Sequence, residues 1–194
     1  MLVARPSNHL SVLSGHFEAT ADSEIDVVRG NQYGLVTTGT FFQCAGVAGN
    51  KEIDFKVKLM TNTAITNTLE EGVLYSLTGV RMIALNNGST PTITWTQESI
   101  MRIGKASDLG LDFSNRTGVV GLGVIVERKE IPSPHAGEDN QLEVILLHND
   151  WDPVNLVKTH ILYVLGREMS IVGHLVDWDI EAKMPVILVY LQKG

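Results

Sequence analysis

Two similar glycine-punctuated stretches, one in each half of the 194-residue chain, constrain its fold more than any other feature. GLVTTGTFF begins at Gly34 and GVVGLGVIV at Gly118, and in both an apolar run leads to a second glycine, Gly39 or Gly123. Bulky residues typical of strands follow the second glycine in each case. The pair predicts that the chain repeats one structural unit.

The segments that follow these stretches also correspond in order. KEIDFKVKLM matches QLEVILLHND, LYSLTG matches LYVLG, VRMIAL matches REMSIVGHL, and TITWTQESI matches MPVILVYL. The clearest of them is 53–60, where apolar residues alternate with Asp54, Lys56 and Lys58, which predicts a half-buried strand. Each half is therefore expected to contain five strands.

Strand signals dominate the chain, and helical periodicity is confined to short pieces at 61–72 and 152–160. NNGST at 86–90 separates two strand-like segments and predicts a hairpin. The sequence thus predicts an all-β protein of two five-stranded Greek-key barrels in tandem. The predicted parts are an N-terminal arm or edge strand at 1–32, a first barrel at 33–106, a linker at 107–116 and a second barrel at 117–194. If the correspondence is only chance similarity between β-rich segments, a single β-sandwich or jelly roll is the alternative.

A glycine inside the first strand suits a small barrel, because that strand bends sharply to serve both sheets. The first strand has the pattern G-apolar-x-x-x-G, the second has charged alternation, and an apolar-G-R-x-apolar junction contains Gly166, Arg167 and Met169. In these features the chain resembles the OB-fold families that bind single-stranded DNA, such as replication protein A and the bacterial single-strand-binding proteins. The resemblance covers roughly 34–104 and 117–192 and implies non-catalytic binding of single-stranded nucleic acid, DNA or RNA. It departs from those families in leaving no room for a helix between strands three and four.

Charge indicates which half would meet phosphates. The formal net charge is −7, which argues against a broadly cationic nucleic-acid binder. Residues 34–106 nevertheless carry a slight cationic excess, whereas 117–194 are strongly acidic. The first barrel is therefore the expected binding half, with lysines and arginines for phosphates and rings for base stacking. The predicted nucleic-acid-binding residues are Lys56, Lys58, Tyr75, Arg81, Trp95, Arg102 and Lys105. Core packing is the alternative role for Tyr75 and Trp95.

The second barrel has two tryptophans, Trp151 and Trp178, that each stand between two aspartates. We expect these indoles to be exposed and to provide second-barrel contacts. They also support the alternative function, a protein-interaction or assembly module that binds a protein partner or a second copy of itself. The cluster HNDWD at 148–152 has the spacing of a divalent-ion site, but turn chemistry explains it as well, and no metal is predicted. Residues 179–183 are expected to connect a hairpin.

Other function classes lack their motifs. There is no nucleophile elbow, phosphate-binding loop, dinucleotide fingerprint or zinc spacing in the sequence, so neither an enzyme nor a cofactor is predicted. Cys44 is the only cysteine and lies in an apolar segment, which predicts a buried, inert thiol. Since no apolar run reaches about 18 residues, no membrane span is expected. The expected location is intracellular, either nuclear or cytoplasmic.

Overall fold

The computed structural model describes residues 11–29, 32–84, 87–131, 141–147 and 168–189. Within these ranges the strands are β1 (Ser11–Glu18), β2 (Glu24–Arg29), β3 (Tyr33–Cys44), β4 (Ile53–Ala64), β5 (Val73–Ile83), β6 (Thr92–Thr94), β7 (Ile100–Lys105), β8 (Thr117–Ile131), β9 (Gln141–Leu147), β10 (Glu168–Asp179) and β11 (Met184–Val189), and the helix is α1 (Ala106–Leu109). The predicted all-β class is confirmed.

The chain divides into two compact units. The larger unit comprises 12–120 together with the chain from 172 onward, and the smaller unit includes 121–171. In the smaller unit the later part of β8 pairs antiparallel with β9, from Val124 opposite Leu147 to Ile131 opposite Gln141. The described core and the site discussed below belong to the larger unit. These units divide the chain at other positions than the predicted domains, which stay a prediction.

Strand pairing in the larger unit forms a ring. β3 pairs antiparallel with β4, β4 pairs parallel with β6, and β5 pairs antiparallel with β6, β7 and β1. The ring closes where the chain leaving β1 meets β3, because the Thr20 amide donates to the Gly39 carbonyl and the Thr40 hydroxyl donates to the Glu18 carbonyl. β7 continues the course of β6 along β5, so the two act as one interrupted strand.

The ring encloses the hydrophobic core. The even-numbered residues of β3 from Gly34 to Cys44 are buried, while the odd-numbered ones between them are half-buried. Phe42 meets the ring of Phe17 from β1 edge to face, with centroids 5.7 Å apart. Leu59 and Leu77 complete the centre and are fully buried. Because side chains alternate along each strand, every second residue of these strands is left on the outer surface.

Several local predictions are confirmed. In β4, Val57 and Leu59 are buried and Lys56 and Lys58 are exposed, as the alternation predicted. The predicted hairpin around 86–90 is present as the antiparallel pair of β5 and β6. The hairpin at 179–183 is present as well, because β10 pairs antiparallel with β11 on either side of it. The prediction of a buried Cys44 is also confirmed.

The helical turns considered at 61–72 are not formed. β4 runs on to Ala64, because its last residues pair with β3 as far as Ala64 opposite Tyr33. The other helical candidate, 152–160, lies outside the described residues. A four-residue helix, α1, occurs instead within the predicted linker, and Gly110 ends it in the left-handed conformation.

LYSLTG and VRMIAL were predicted as two strands, but LYSLTG and the first four residues of VRMIAL belong to the single strand β5. Gly79, at their junction, has a φ of 65° and makes a bulge rather than a reversal of the chain. Opposite it, the register between β1 and β5 shifts between Leu13 and Gly15. The bulge is held by its amides, since Gly79 donates to the Ser14 hydroxyl and Thr78 donates to the Ser99 carbonyl.

The N-terminal residues contribute two strands. β2 stands at the end of the strand order and pairs with β3, so the predicted edge strand is present. β1 lies between β5 and β8 in the strand order, and its Leu13 and Phe17 are in the core. It is therefore part of the wall of the larger unit and not an arm lying on it.

Candidate functional site

The outer surface of β3 and β4 carries two lysines. Lys56 and Lys58 point outward because Val57 and Leu59 occupy the inward positions of β4. Lys56 lies opposite Phe41, and Lys58 lies opposite Gly39 in the β3–β4 ladder. Residues directly opposite in an antiparallel pair have Cβ atoms about 4.5–5.5 Å apart, so Lys56 and Phe41 share one patch of surface. We call this surface, defined by Phe41, Lys56 and Lys58, the lysine face.

A cleft of about 340 Å3 adjoins the lysine face, and Phe41 belongs to both. His16 and Glu18 of β1 form one wall of the cleft, and the segment between α1 and β8 forms another. His16 and Phe113 stack with their ring centroids 5.2 Å apart and their planes 21° from parallel. We call it the ring cleft, since His16, Phe41 and Phe113 supply its flat walls.

Hydrogen bonds hold the outer wall of the ring cleft against β3. The Phe113 amide donates to the side-chain oxygen of Gln43, and the Asn115 amide donates to the Gln43 carbonyl. The Asn115 side chain accepts from the Ala45 amide and donates to the Gly46 carbonyl. Asn115 has a φ of 57°, a conformation that asparagine adopts more readily than most residues. The cleft is therefore built into the fold before any ligand is bound.

The turn at the rim of the cleft is stabilised by a carboxylate. The Ser114 amide donates to Asp112, which lowers the pKa of that carboxyl, with the Ser114 hydroxyl and the Arg116 charge acting in the same direction. The group is exposed, so it contributes little to stability. Its role is to fix the chain entering Asn115.

The predicted stacking rings are inside the core. Tyr75 and Trp95 are each 5% exposed, so neither ring face is open to a base, and core packing is the role that the structure gives them. Tyr75 takes an inward position of β5 between Val73 and Leu77, and its hydroxyl accepts from the Glu70 amide. The half-buried Phe41 and the His16–Phe113 pair are the rings beside the lysine face.

The predicted cations are spread over three strands. Lys56 and Lys58 lie together on β4, whereas Arg81 is half-buried on β5, opposite Thr94. Arg102 of β7 forms an exposed ion pair with Glu70 at 3.5 Å. Lys105 is exposed and directly precedes α1. The structure thus groups two of the predicted cations on one face and places the others on different strands.

Trp178 was expected to be exposed, and this expectation is wrong. Its side chain is 9% exposed and stacks on Phe55 with centroids 4.2 Å apart and planes 10° from parallel. Because residues alternate along β10, the flanking aspartates project to the other side, where Asp177 forms an ion pair with Lys51. Trp151 and the HNDWD cluster lie outside the described residues.

Sequence reasoning missed the residues of the ring cleft. Phe41 had a local signal, because Phe42 is its neighbour and two adjacent strand residues must face opposite sides. His16 and Phe113 had none, since their contact joins residues far apart in the chain. Over the described ranges, no group of three His, Cys, Asp or Glu side chains is placed to hold a metal ion. No helix in the described part of the chain is long and apolar enough to cross a membrane.

Comparison with known proteins yields one weak structural similarity and no family. The chain matches no protein family model and no curated protein. Among solved structures it is similar to a chain from a replication protein A heterotrimer bound to single-stranded DNA, with 13% identity and a TM-score of 0.32. The match covers 89% of this chain and 40% of that chain, so this chain spans less than half of its length. This similarity is too low to assign a function to the chain.

Proposed function

We propose that the ring of strands in the larger unit is an OB-fold barrel and that the chain binds single-stranded nucleic acid on the lysine face, without catalysis. One observation carries the proposal. Taking β1, β3, β4, β5 and the interrupted strand β6–β7 as strands one to five, the order around the ring is first, second, third, fifth, fourth and back to first. The pair of third and fifth strands is parallel, and the other paired strands are antiparallel. This is the Greek-key order of the OB-fold.

This assignment moves the barrel along the sequence. GLVTTGTFF, which the repeat predicted as the first strand, lies in the second strand, β3. The first strand is β1, which belongs to the N-terminal residues predicted to lie outside the barrel. In OB-folds the face of strands two and three is the usual surface for oligonucleotides. Here that face is formed by β3 and β4 and carries Phe41, Lys56 and Lys58. A pair of cations beside a half-exposed ring is what a single strand needs, because cations bind its phosphates and rings stack on its bases.

We keep the second barrel at 117–194 as a proposal from the sequence repeat alone, because β9 belongs to the smaller unit, whereas β11 and most of β10 belong to the larger one, with Leu175 and Trp178 in its core. Since 117–194 are strongly acidic, we assign nucleic-acid binding to the first barrel.

The test is a salt-dependent titration of a fluorescent single-stranded DNA of mixed sequence and about 30 nucleotides, long enough for two OB-folds. Each phosphate contact on a single strand contributes about −0.7 to the slope of log K against log salt. Replacing Lys56 and Lys58 by glutamine should therefore make the slope about 1.4 less negative. Lys183→Gln, an exposed cation in the β10–β11 turn, is the matched control and should leave the slope unchanged. No anisotropy change at low salt and micromolar protein would overturn the proposal.

A second candidate function, docking of a protein, is favoured by an apolar patch elsewhere. Val120 of β8 is 47% exposed and Val172 of β10 is 64% exposed. Together with Val12 they line a second cleft of the larger unit, of about 530 Å3. Exposed apolar side chains that lie together often mark a protein contact. If a second copy binds here, size-exclusion chromatography with light scattering should show a dimer that the isosteric double variant Val120→Thr, Val172→Thr converts to monomer. A wild-type monomer at all concentrations would exclude this form of the candidate.

A further inference from the structure

The ring cleft lies where a base would follow a bound phosphate. Phe41 faces Lys56 across the β3–β4 ladder and also lines the cleft, so the two surfaces are continuous. A strand with a phosphate at Lys56 therefore has a base beside Phe41. The cleft, at about 340 Å3, is at the lower end of the size of small-ligand pockets, which start near 300 Å3. Its flat walls are the stacked rings of His16 and Phe113 and the ring of Phe41.

Glu18 gives the cleft a chemical preference. The residue is fixed by its carbonyl, which accepts from the Thr40 hydroxyl at 2.6 Å, and its side chain is half-buried in the wall. Among the described residues, none forms a hydrogen bond or ion pair with its carboxylate. Two other polar groups of the cleft are engaged, since the Gln43 side-chain oxygen accepts from the Phe113 amide and the Ser107 hydroxyl donates to Asp108. The carboxylate is therefore free to accept a hydrogen bond from a ligand that enters the cleft.

A base that covers this carboxylate must supply an N–H group. Covering a charged acceptor without a partner carries a large desolvation cost, whereas a carboxylate that accepts from an exocyclic amino group is a standard base contact. Cytosine, adenine and guanine carry such a group. Thymine and uracil have no exocyclic amino group, and their N3–H lies between two carbonyl oxygens, so a carboxylate that accepts from it also faces one of those oxygens, which repels it.

We infer that the ring cleft receives one base of the bound strand and that Glu18 selects a base with an exocyclic amino group over thymine or uracil. The inference deepens the proposed function and rests on it. Glu18 acts in this account as a specificity-determining residue, and Lys56 and Lys58 bind the backbone whatever the base. The preference is therefore separable from binding itself.

The test compares oligo-dC with oligo-dU of equal length at a pH slightly above neutral, because the two bases are of equal size and differ at position four, amino against carbonyl, and at N3, which accepts in cytosine and donates in uracil. Wild-type protein should bind oligo-dC about tenfold more tightly, within the range of one good base contact. Glu18→Gln should bring the two affinities within about twofold, because an amide can donate to the uracil oxygen as well as accept from cytosine. Glu71→Gln removes an exposed carboxylate outside the cleft and should keep the preference, which controls for the change in net charge.

The outcomes separate this inference from the function beneath it. Equal binding of both oligonucleotides by the wild type would overturn base selection and leave nucleic-acid binding standing. A preference that survives in Glu18→Gln would show that another group selects the base and would also overturn the inference. Absence of binding to either oligonucleotide would overturn the proposed function and the inference together.

Discussion

Replacing Trp178 by alanine tests the central difference between the sequence-based expectation and the structure. An exposed indole would be dispensable for folding, and its loss would cost less than about 0.5 kcal/mol. In the structure Trp178 belongs to the core and stacks on Phe55, which lies on the core-facing side of β4. Trp178→Ala should therefore destabilise the fold, because it removes a buried side chain.

The magnitude follows from the buried area. A buried aromatic side chain removes about 150–250 Å2 from water, which at about 25 cal/mol per Å2 amounts to about 4–6 kcal/mol. Alanine keeps a small part of that, and measured losses for buried Trp→Ala changes are about 3–5 kcal/mol. We expect a loss of about 4 kcal/mol in the free energy of unfolding. For a chain of this length that lowers Tm by about 8–16 °C.

The assay is urea unfolding followed by far-UV circular dichroism, with Tm from the same signal. Ile180→Ala is the matched control, because Ile180 is two residues away and 77% exposed, and it should change the free energy of unfolding by less than about 0.5 kcal/mol. If Trp178→Ala unfolds within about 1 kcal/mol of the wild type, the burial of this indole and the closure of the core around it are refuted.

Three further predictions concern β3 and its neighbours. Burial raises the pKa of the Cys44 thiol to about 11, and the charges of Asp177 and Asp54 add to the effect. An alkylating reagent at pH 8 should therefore modify this thiol only after the protein unfolds. Rapid labelling of the native protein would contradict the burial of Cys44. Although burial acts to raise the pKa of Asp177, the hydrogen bond and charge of Lys51 and the Trp178 amide lower it overall. Asp177 therefore stabilises the fold at neutral pH, and this contribution should be lost as the pH falls below about 4, so that wild type and Asp177→Asn converge in urea midpoint there and differ at pH 7. A Cβ on Gly39 would lie 2.7 Å from the Thr20 hydroxyl oxygen. Gly39→Ala should therefore lower the free energy of unfolding by about 1–3 kcal/mol, and adding Thr20→Ala should restore part of that loss. If the effects of the two substitutions are strictly additive, the two residues do not touch.

Local patterns in the sequence predicted local structure well. The alternation along 53–60 determines which side chains of β4 face out, because the side-chain period of a strand is fixed by its backbone. The hairpin at 179–183 was recognisable for the same reason, since turn residues between two apolar segments favour a reversal. Both features depend only on residues that are neighbours in the chain.

Features that depend on distant residues were not predictable in this way. In β1 and the residue after it the inward positions are Leu13, Gly15, Phe17 and Ala19, so the alternation was present, but two small residues weakened its apolar signal. Gly15 is small for a tertiary reason, because a Cβ there would lie 3.1 Å from the Thr117 hydroxyl oxygen of another strand. The ring cleft likewise requires three separate segments to meet, which no local pattern records.

Lys56 and Lys58 lie on the face of strands two and three under either assignment of the barrel. If GLVTTGTFF is the first strand, 53–60 is the second, and if β1 is the first strand, 53–60 is the third; the face of strands two and three includes it both times. The exposure of the aromatic rings, by contrast, does not follow from the pattern of a single strand. Whether an aromatic side chain is open to a base depends on which other segments cover it, and here β5 and the end of β6 turn Tyr75 and Trp95 inward while β1 and Phe113 form a new site around Phe41. The outward position of a cation on a strand can therefore be predicted from alternation alone, whereas the exposure of an aromatic ring, and with it any proposed base contact, requires the tertiary structure.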